Sequence, residues 1–458
     1  MIESLARVVG REHVLHTPAA LIAYGVDATV GYRGTPGAAV FPGSAHEVAE
    51  VLALAADRGW TVVARGAGTS LAAGAVPPPG AVVVSLIRLR EGPWVDPSAL
   101  SARAGAGVTT ADLQSAARAE GLFFPPDPSS QAVTTLGGNA ATNAGGAHAL
   151  RYGVMRHYVT GLEVALCSGD VERFERGTEL EPLVDLFVGS EGTLGLITDL
   201  EVRLIPAPAA RATLTASFAD AAAAARATVA ILAAGLTPGK LEFMDDVSIR
   251  AIQASRKRGL PSDVGALLFV ELHGEVEDVQ DRARAALDIL RESGASNAAR
   301  AETPADEARV WEARGAITSS LARLKPGKIG EDICVPRTRL AEAVTAIKRL
   351  SAERNVTIAL FGHIGDGTLH PNVVYDPAEE SGARAARDTL EGLARIGVEL
   401  GGVLSGEHGL GLVKRDFVPL AWDWETIGAM RRLKREFDPT GILNPRIMWP
   451  EPQAPAST

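Results

Sequence analysis

The chain has 458 residues, 46% of them hydrophobic and 22% charged, which suits two or three globular domains at roughly 150 residues each and argues against wholesale disorder. A net charge of −10 argues against nucleic-acid binding, which calls for a basic face, while leaving room for a local basic pocket around an anionic substrate. Two cysteines, Cys167 and Cys334, are too few for a disulfide framework or a cysteine-held zinc or iron–sulfur centre, so electron transfer would need a bound organic cofactor or a partner's clusters.

The first seven residues lack the basic and apolar regions of a secretion signal. The most apolar stretch, residues 221–236, is interrupted by Arg226 and too short to cross a bilayer. The chain is expected to work in the cytoplasm, without direct membrane insertion, and to meet a membrane only through a partner. Residues 36–205 read as alternating short strands and helices. Residues 38–42 form a strand, and Ser44 then caps an amphipathic helix, with Glu47 at its third position as in a capping box. An apolar run makes residues 61–64 a buried strand, leading into Arg65, Gly66, Ala67, Gly68, Thr69 and Ser70. Residues 81–86 are the next strand, Thr109 or Thr110 opens a helix that runs to Glu120, and residues 161–166 and 197–204 are further strands. A boundary falls at the Pro-Ala-Pro of residues 206–208. Beyond it come a strand (212–218), an Ala-rich helix, strands at 240–243 and 266–272, and a helix over 276–292. That pattern predicts an α+β domain with antiparallel strands and helices on one face of the sheet. Residues 427–445 hold a basic amphipathic helix ended by Asp-Pro-Thr-Gly, too short to be a domain, and the tail after Pro450 is expected to be disordered.

Three glycine-rich loops punctuate the first half. In residues 65–70 the glycines let successive backbone N–H groups converge into an anion nest, and Thr69 and Ser70 add hydroxyl donors. The hexapeptide fails the dinucleotide-binding pattern, because Leu71 stands where a third glycine belongs, and a tight turn is the alternative. A richer stretch runs from the Pro-Pro-Asp-Pro-Ser-Ser of residues 125–130, with Pro126, through Thr135, Gly138, Asn139, Thr142, Gly145 and Gly146 to Arg151. With so little side-chain bulk its backbone can follow a large flat ligand, Thr, Ser and Asn supplying directional hydrogen bonds; a loop of tight turns is the alternative. The third loop, residues 189–195, holds Glu191 and Gly195 and precedes a strand with Ile197.

Two further islands lie near the C-terminus. His363 and His370 stand in Gly-His-Ile-Gly-Asp-Gly-Thr-Leu-His, and Glu407 and His408 in Ser-Gly-Glu-His-Gly-Leu-Gly. Gly365, Asp366 and Gly367 signal a turn, so residues 361–372 are expected to form a hairpin with both histidines on one face. Imidazole suits zinc, iron or manganese, and Glu407 would complete a two-His, one-carboxylate set with open positions. Hydrogen-bonding histidines in a polar crevice are the alternative. No HExxH occurs, which argues against a metalloprotease.

In order and content, the first-half loops resemble the flavin domain of the vanillyl-alcohol-oxidase / p-cresol-methylhydroxylase superfamily. The histidine islands, with Phe-Asp-Pro-Thr-Gly-Ile-Leu-Asn-Pro at residues 437–445, resemble its branch of D-lactate dehydrogenases, D-2-hydroxyglutarate dehydrogenase and the flavin-binding glycolate oxidase subunit. The likeness spans nearly the whole chain. It implies an α+β fold: a two-part FAD-binding domain of the p-cresol-methylhydroxylase type over residues 1–205, a ferredoxin-like substrate domain with the metal site over 206–425, and a C-terminal segment, 426–458, returning to the first domain. It places the FAD phosphates at Arg65, Gly66, Ala67, Gly68, Thr69 and Ser70. Thr135, Gly138, Thr142, Gly146 and Ile197 would line the ribityl chain and ring, with Pro126, Asn139, Gly145, Glu191 and Gly195 beside them and Asn444 reaching back from the C-terminal segment. Residues 65–74 hold no His or Cys, so non-covalent FAD is expected.

The resemblance also implies oxidation of a 2-hydroxy acid to the 2-oxo acid. His363, His370 and Glu407 would hold a divalent metal (zinc, manganese or iron) that eases deprotonation of the hydroxyl, and the α-hydrogen would pass as hydride to flavin N5. His408 is the expected base, its ordinary pKa of about 6.5 suiting proton abstraction at neutral pH. Arg314, in a Trp-x-x-Arg pattern, would clamp the substrate carboxylate with its bidentate fork, and Thr318 would lie one helical turn on, on the same face; a surface salt bridge to Glu307 or Glu312 is the alternative for Arg314. Lys328 stands two residues further from the following Asp-x-x-x-Pro than in the hydroxyglutarate enzyme, so glycolate or D-lactate is expected over D-2-hydroxyglutarate. Expected partners are a second flavin subunit, an iron–sulfur subunit or an electron-transfer flavoprotein, or else a second copy of the chain. The competing readings are a non-redox enzyme resembling alkyl-dihydroxyacetone-phosphate synthase and a flavin relay without its own catalysis; the intact histidine set argues against the relay.

Overall fold

The structure, a computed structural model, describes residues 1–256, 260–261 and 263–450. The tail expected to be disordered lies outside them. In the first sheet, Ala38–Val40, Val82–Ser85 and Val62–Arg65 are parallel neighbours and Val14–Leu15 adds an antiparallel edge. Parallel strands covered on both faces need continuous apolar runs, and Val62, Val63, Val82, Val83 and Val84 are all buried. Helix Ala45–Arg58 begins at Ser44, whose Oγ accepts from Glu47 N at 3.2 Å. The Glu47 carboxylate turns back to Gly43 N at 2.7 Å, one residue beyond the expected box.

The second sheet is antiparallel throughout, in the order Trp94–Asp96, Ser101–Gly105, Leu196–Arg203, Val159–Ala165, Val171–Glu175. Thr109, not Thr110, caps helix Thr110–Ala119, its Oγ1 accepting from Asp112 N at 3.1 Å. This helix and Leu136–Thr142 close over a core that includes Phe124, Leu136, Leu162 and Phe187. The two sheets make up the two-part architecture expected for the FAD-binding half.

The third sheet runs Asn297–Arg300, Ala210–Phe218, Ala266–Gly274, Lys240–Asp245, Thr357–Gly362, Thr368–Tyr375, Gly327–Gly330, with Ile333–Cys334 beside Thr368–Tyr375. All its pairs are antiparallel. Successive side chains in a strand point to opposite faces. One face carries Leu214, Phe243, Leu268, Val270, Leu360 and Val373 beneath helices Ala221–Ala233, Val276–Glu292, Leu340–Glu353 and Glu380–Glu399. The expectation of helices on one face alone needs correction. Asp246–Arg256, Pro304–Gly315 and Ile317–Leu321 cover part of the other face through Met244, Phe269, Ile317, Leu321 and Phe361. The rest of that face is polar: in step with Met244, Phe269 and Val374 come Lys240 and Glu242, Glu271 and His273, and His370, Asn372 and Lys328. The alternation that buries the sheet on one side therefore sets out a row of ligating and charged groups on the other.

The C-terminal helix starts at Trp424 rather than Ile427, because Asp423 caps it, accepting from Thr426 N at 2.7 Å. It ends at Phe437, whose ring packs edge-on against Phe187 at 5.3 Å, docking the helix on the FAD-binding half. Lys434 Nζ donates to Thr193 O at 2.7 Å, Leu443 O at 2.9 Å and Asp438 Oδ2 at 2.7 Å. A buried ammonium requires all three donors to be met. Val62 and Leu443 form a parallel bridge, so the chain end joins the first sheet. No helix among the described residues is long and apolar enough to cross a membrane.

Candidate active site

A cleft is bordered by residues of both N-terminal sheets. Its walls include Arg65, Gly66, Ala67, Gly68, Thr69, Ser70, Thr135, Gly138, Asn139, Thr142, Glu191, Gly195, Ile197 and Asn444, brought together as expected. Small size at two positions is required: a Cβ on Gly66 would collide with Thr135 Oγ1, and one on Gly68, at φ +75°, with the Arg65 guanidinium. The polar side chains mostly brace the wall. Arg65 donates to Val26 O at 2.7 Å and lies over the Tyr24 ring at 5.5 Å, so its guanidinium is already engaged. Ser70 Oγ accepts from Gly74 N at 3.1 Å, Asn139 Nδ2 donates to Thr110 Oγ1 at 2.5 Å, and Thr142 Oγ1 donates to Gly138 O at 3.1 Å. The loop backbones thus add to the surface offered to a cofactor, and the Ser70 hydroxyl, which only accepts in these bonds, keeps its own hydrogen to donate.

Three expected residues do not border this cleft. Pro126 lies outside it, with its carbonyl accepting from Gln114 Nε2 at 2.9 Å. Gly146 bridges to Asp127, where a Cβ would stand 2.5 Å from the Asp127 carbonyl oxygen. Gly145 packs elsewhere in the site: a Cβ there would reach 3.2 Å from Glu407 Oε2.

Glu191 and Asn444 tie three loops together. Glu191 accepts from Leu410 N at 2.7 Å and Gly411 N at 2.9 Å, which anchors the Gly-Glu-His-Gly-Leu-Gly loop to the cleft. Asn444 accepts from Ala64 N at 3.0 Å and donates to Glu191 O at 2.6 Å. Replacing Asn444 by Ala leaves these partners unmet, at a cost of about 1–3 kcal/mol. The expected result is earlier FAD release on heating, read by the rise in flavin fluorescence.

The histidine islands do converge. The hairpin forms between Thr357–Gly362 and Thr368–Tyr375, with Phe361 opposite His370 and His363 just past the strand end. Glu407 Oε1 lies 3.2 Å from His363 Nε2, 3.4 Å from His370 Nε2 and 3.9 Å from His408 Nε2. Ligands of a tetrahedral zinc at about 2.0–2.1 Å stand about 3.3–3.4 Å from one another, so the first two spacings fit such an ion. Ligand atoms of His363, His370 and Glu407 all fall within 4.8 Å of each other, and His370 Nδ1 is buried without a hydrogen-bond partner. His363 Nδ1 rests on Glu242 Oε1 at 2.6 Å, the outer carboxylate that orients a ligating histidine. Burial alone pulls the His363 imidazole down, but Glu242 and Glu407 beside it hold it well above the usual range, while Glu407 is held well below its own despite burial. In the metal-free site the His363 imidazolium is thus the cation beside Glu407, and a metal ion bound there would take the place of its proton. His408 stacks on His370, ring centroids 5.0 Å apart, and burial pushes its imidazole down to about 4, so it stands neutral and open to a proton, though as a weaker base than an ordinary imidazole.

A second cavity is lined by Arg314, Thr318, Lys328, Lys240, Trp311 and Asn372. Glu407 and His408 border both cavities. Arg314 and Thr318 do not share a helix as expected: Pro304–Gly315 ends and Ile317–Leu321 begins between them, yet both reach the cavity. Arg314 Nη2 pairs with Glu242 Oε2 at 2.6 Å, and Nε is buried without a hydrogen-bond partner; Glu307 pairs with Arg211 at 3.0 Å. Lys328 lies in Gly327–Gly330, burial lowers its pKa, and no ion pair to it is found among the described residues.

Sequence reasoning missed three organising residues. Glu242, 1% exposed, joins Arg314 to His363, and those two charges bring its carboxyl to about 2 against the upward push of burial. Asp332, fully buried, accepts from Glu407 N at 2.6 Å, His408 N at 3.0 Å and Ser405 Oγ at 3.1 Å, and it pairs with buried Lys414. One signal was available: a carboxylate inside an otherwise apolar strand, as in Lys-Leu-Glu-Phe-Met, has to meet a partner.

Two family models match the chain: "FAD linked oxidases, C-terminal domain" over residues 207–447 and "FAD binding domain" over residues 36–175. The glycolate oxidase subunit GlcD of Bacillus subtilis (strain 168) is 37% identical over 451 residues, covering 98% of this chain and 96% of that protein. The D-lactate dehydrogenase of Anaerostipes hadrus is 32% identical over 414 residues, covering 88% of this chain and 87% of that one. Among solved structures, p-cresol methylhydroxylase with substrate bound superposes with a TM-score of 0.81 at 16% identity, covering 98% of this chain and 96% of its own, a likeness of fold.

Proposed function

The chain belongs to the FAD-linked oxidases, and from that membership we propose that it oxidises a small 2-hydroxy acid, glycolate or D-lactate, to the 2-oxo acid. One observation carries the reading. Glu407 and His408 form a wall common to the cleft suited to a flavin and to the cavity holding Arg314. A substrate anchored by its carboxylate in that cavity has its hydroxyl carbon at the boundary. Supporting the choice of acid, relatives bear the names glycolate oxidase subunit and D-lactate dehydrogenase.

When bound, FAD takes up the α-hydrogen with its two electrons, and a divalent ion of the zinc, manganese or iron class makes the hydroxyl a stronger acid. The loop backbones of residues 65–70 hold the FAD, without a covalent bond, since residues 65–74 offer neither His nor Cys. His363, His370 and Glu407 hold the ion. His408 accepts the hydroxyl proton at Nε2, the nitrogen nearer Glu407, while Asp332 Oδ1, 3.5 Å from Nδ1, supports the charge that results. Arg314, kept in place by Glu242 and lining the cavity, binds the substrate carboxylate through its guanidinium. With two cysteines too few to hold a cluster, electrons leave to another protein, a quinone or oxygen, and a partner protein fits the Bacillus subtilis relative's name as a subunit.

The test is anaerobic mixing of the metal-analysed flavoprotein with glycolate, D-lactate, L-lactate and D-2-hydroxyglutarate, following flavin absorbance. Fast bleaching by one small acid is expected, lost on chelation and restored by a divalent metal. Bleaching by none of them, with FAD and metal present, favours an ether-forming or relay enzyme instead. Arg314→Lys, which gives up the planar fork, is expected to raise the KM for the acid about ten- to hundredfold, the equivalent of about 1.5–3 kcal/mol for a charge-assisted hydrogen bond.

A second reading, oxidation of D-2-hydroxyglutarate, is favoured by Lys328. The spacing argument set this lysine aside, yet it stands in the cavity wall with a free ammonium among the described residues. Under this reading Lys328→Met raises KM for the dicarboxylate and leaves KM for glycolate unchanged.

A further inference from the structure

A second group of ligating side chains lies outside the site above, where the FAD-binding half meets the third sheet. Glu271 and His273 are two residues apart in Ala266–Gly274 and so point to the same face; His148 comes from the other half, just ahead of helix Ala149–Tyr152. All three are at most 7% exposed. Glu271 Oε1 is 2.8 Å from His273 Nε2 and 3.9 Å from His148 Nε2, and ligand atoms of the three residues lie within 4.8 Å of one another. These spacings bracket the separation of about 3.3–3.4 Å between ligands of a tetrahedral zinc.

Both rings are oriented from behind. His273 Nδ1 is hydrogen-bonded to the Tyr152 hydroxyl at 2.9 Å, and His148 Nδ1 lies 2.8 Å from Asp127 Oδ2 without hydrogen-bond geometry. Each outer nitrogen has an oxygen beside it, and both Nε2 atoms face one carboxylate, the side from which a metal would be bound. Lys240 Nζ stands 3.4 Å from Glu271 Oε1 and 4.6 Å from the Trp311 ring centroid, a cation that already balances part of that carboxylate's charge.

We infer that His148, Glu271 and His273 form a second divalent-cation site, of the zinc class, that staples the FAD-binding half to the sheet carrying the first. It stands apart from the proposed oxidation and does not depend on it. The test uses full-length flavoprotein stripped of metal by a chelator with FAD retained, then equilibrated with zinc(II), desalted, and assayed for bound zinc by mass spectrometry. Two equivalents are expected for the wild type, one for His148→Gln and one for His363→Gln. A wild type that takes up a single equivalent, removed by His363→Gln and untouched by His148→Gln, overturns the second site and leaves the first standing. Uptake of none overturns both. Tyr152→Phe, a milder change that frees only His273 Nδ1, covers the case in which His148→Gln fails to hold FAD. It should weaken the second equivalent about ten- to hundredfold, and unaltered zinc affinity in that variant counts against the site.

Discussion

His408→Ala is expected to leave FAD bound and to slow flavin reduction by the substrate about 10²–10⁴-fold, the usual contribution of a positioned proton acceptor. The imidazole borders both cavities, and its Nδ1 has no hydrogen-bond partner, so it is not committed to holding the fold. It is positioned by its own backbone N–H, which donates to Asp332 at 3.0 Å, and by the ring of His370. Anaerobic stopped-flow mixing reads the rate, and the flavin spectrum of the desalted variant reads occupancy. A variant that reduces its flavin as fast as the wild type eliminates the assignment of the base.

Glu242→Ala is expected to be the most damaging single change to stability, about 3–5 kcal/mol, because it removes the shared partner of two buried cations. Arg314 and His363 keep only 14% side-chain exposure each, so water screens neither charge. Urea unfolding followed by far-UV circular dichroism measures this. Two further losses separate the carboxylate's bridging role from a mere packing defect. His363 loses the acceptor behind its Nδ1, which should weaken metal binding about ten- to hundredfold. Arg314 loses its anchor, which should raise KM for the acid. A variant that is less stable but keeps both metal affinity and KM would assign Glu242 to packing alone.

Much of this was legible along the chain. Ser44 with Glu47, the valine runs at residues 62–63 and 82–84, and Gly365–Gly367 between two apolar stretches are local signals, and the elements they predict are present. The glycine-rich loops identified the cleft for the same reason: absent side chains are visible in sequence, and they leave backbone for a ligand. The misses are of another kind. Pro126 and Gly146 belong to the same loop as true wall residues but turn away from the cleft, one bonded to Gln114 and the other against Asp127. Arg314 and Thr318 keep their helical spacing in sequence while the helix itself breaks at Ala316.

By itself the sequence determined which segments would be strand, helix or glycine loop, and which residues carried ligating chemistry, because capping, alternation and missing Cβ atoms act over a few neighbours. The tertiary structure alone decided which of those groups meet. Glu242 and His363 are 121 positions apart and touch at 2.6 Å; Asp332 reaches the Glu407 backbone across 75. Sheet register makes such contacts: once Lys240–Asp245 pairs beside Ala266–Gly274 and Thr357–Gly362, every second side chain is committed to one face. Register is set by packing over the whole sheet rather than by local spacing.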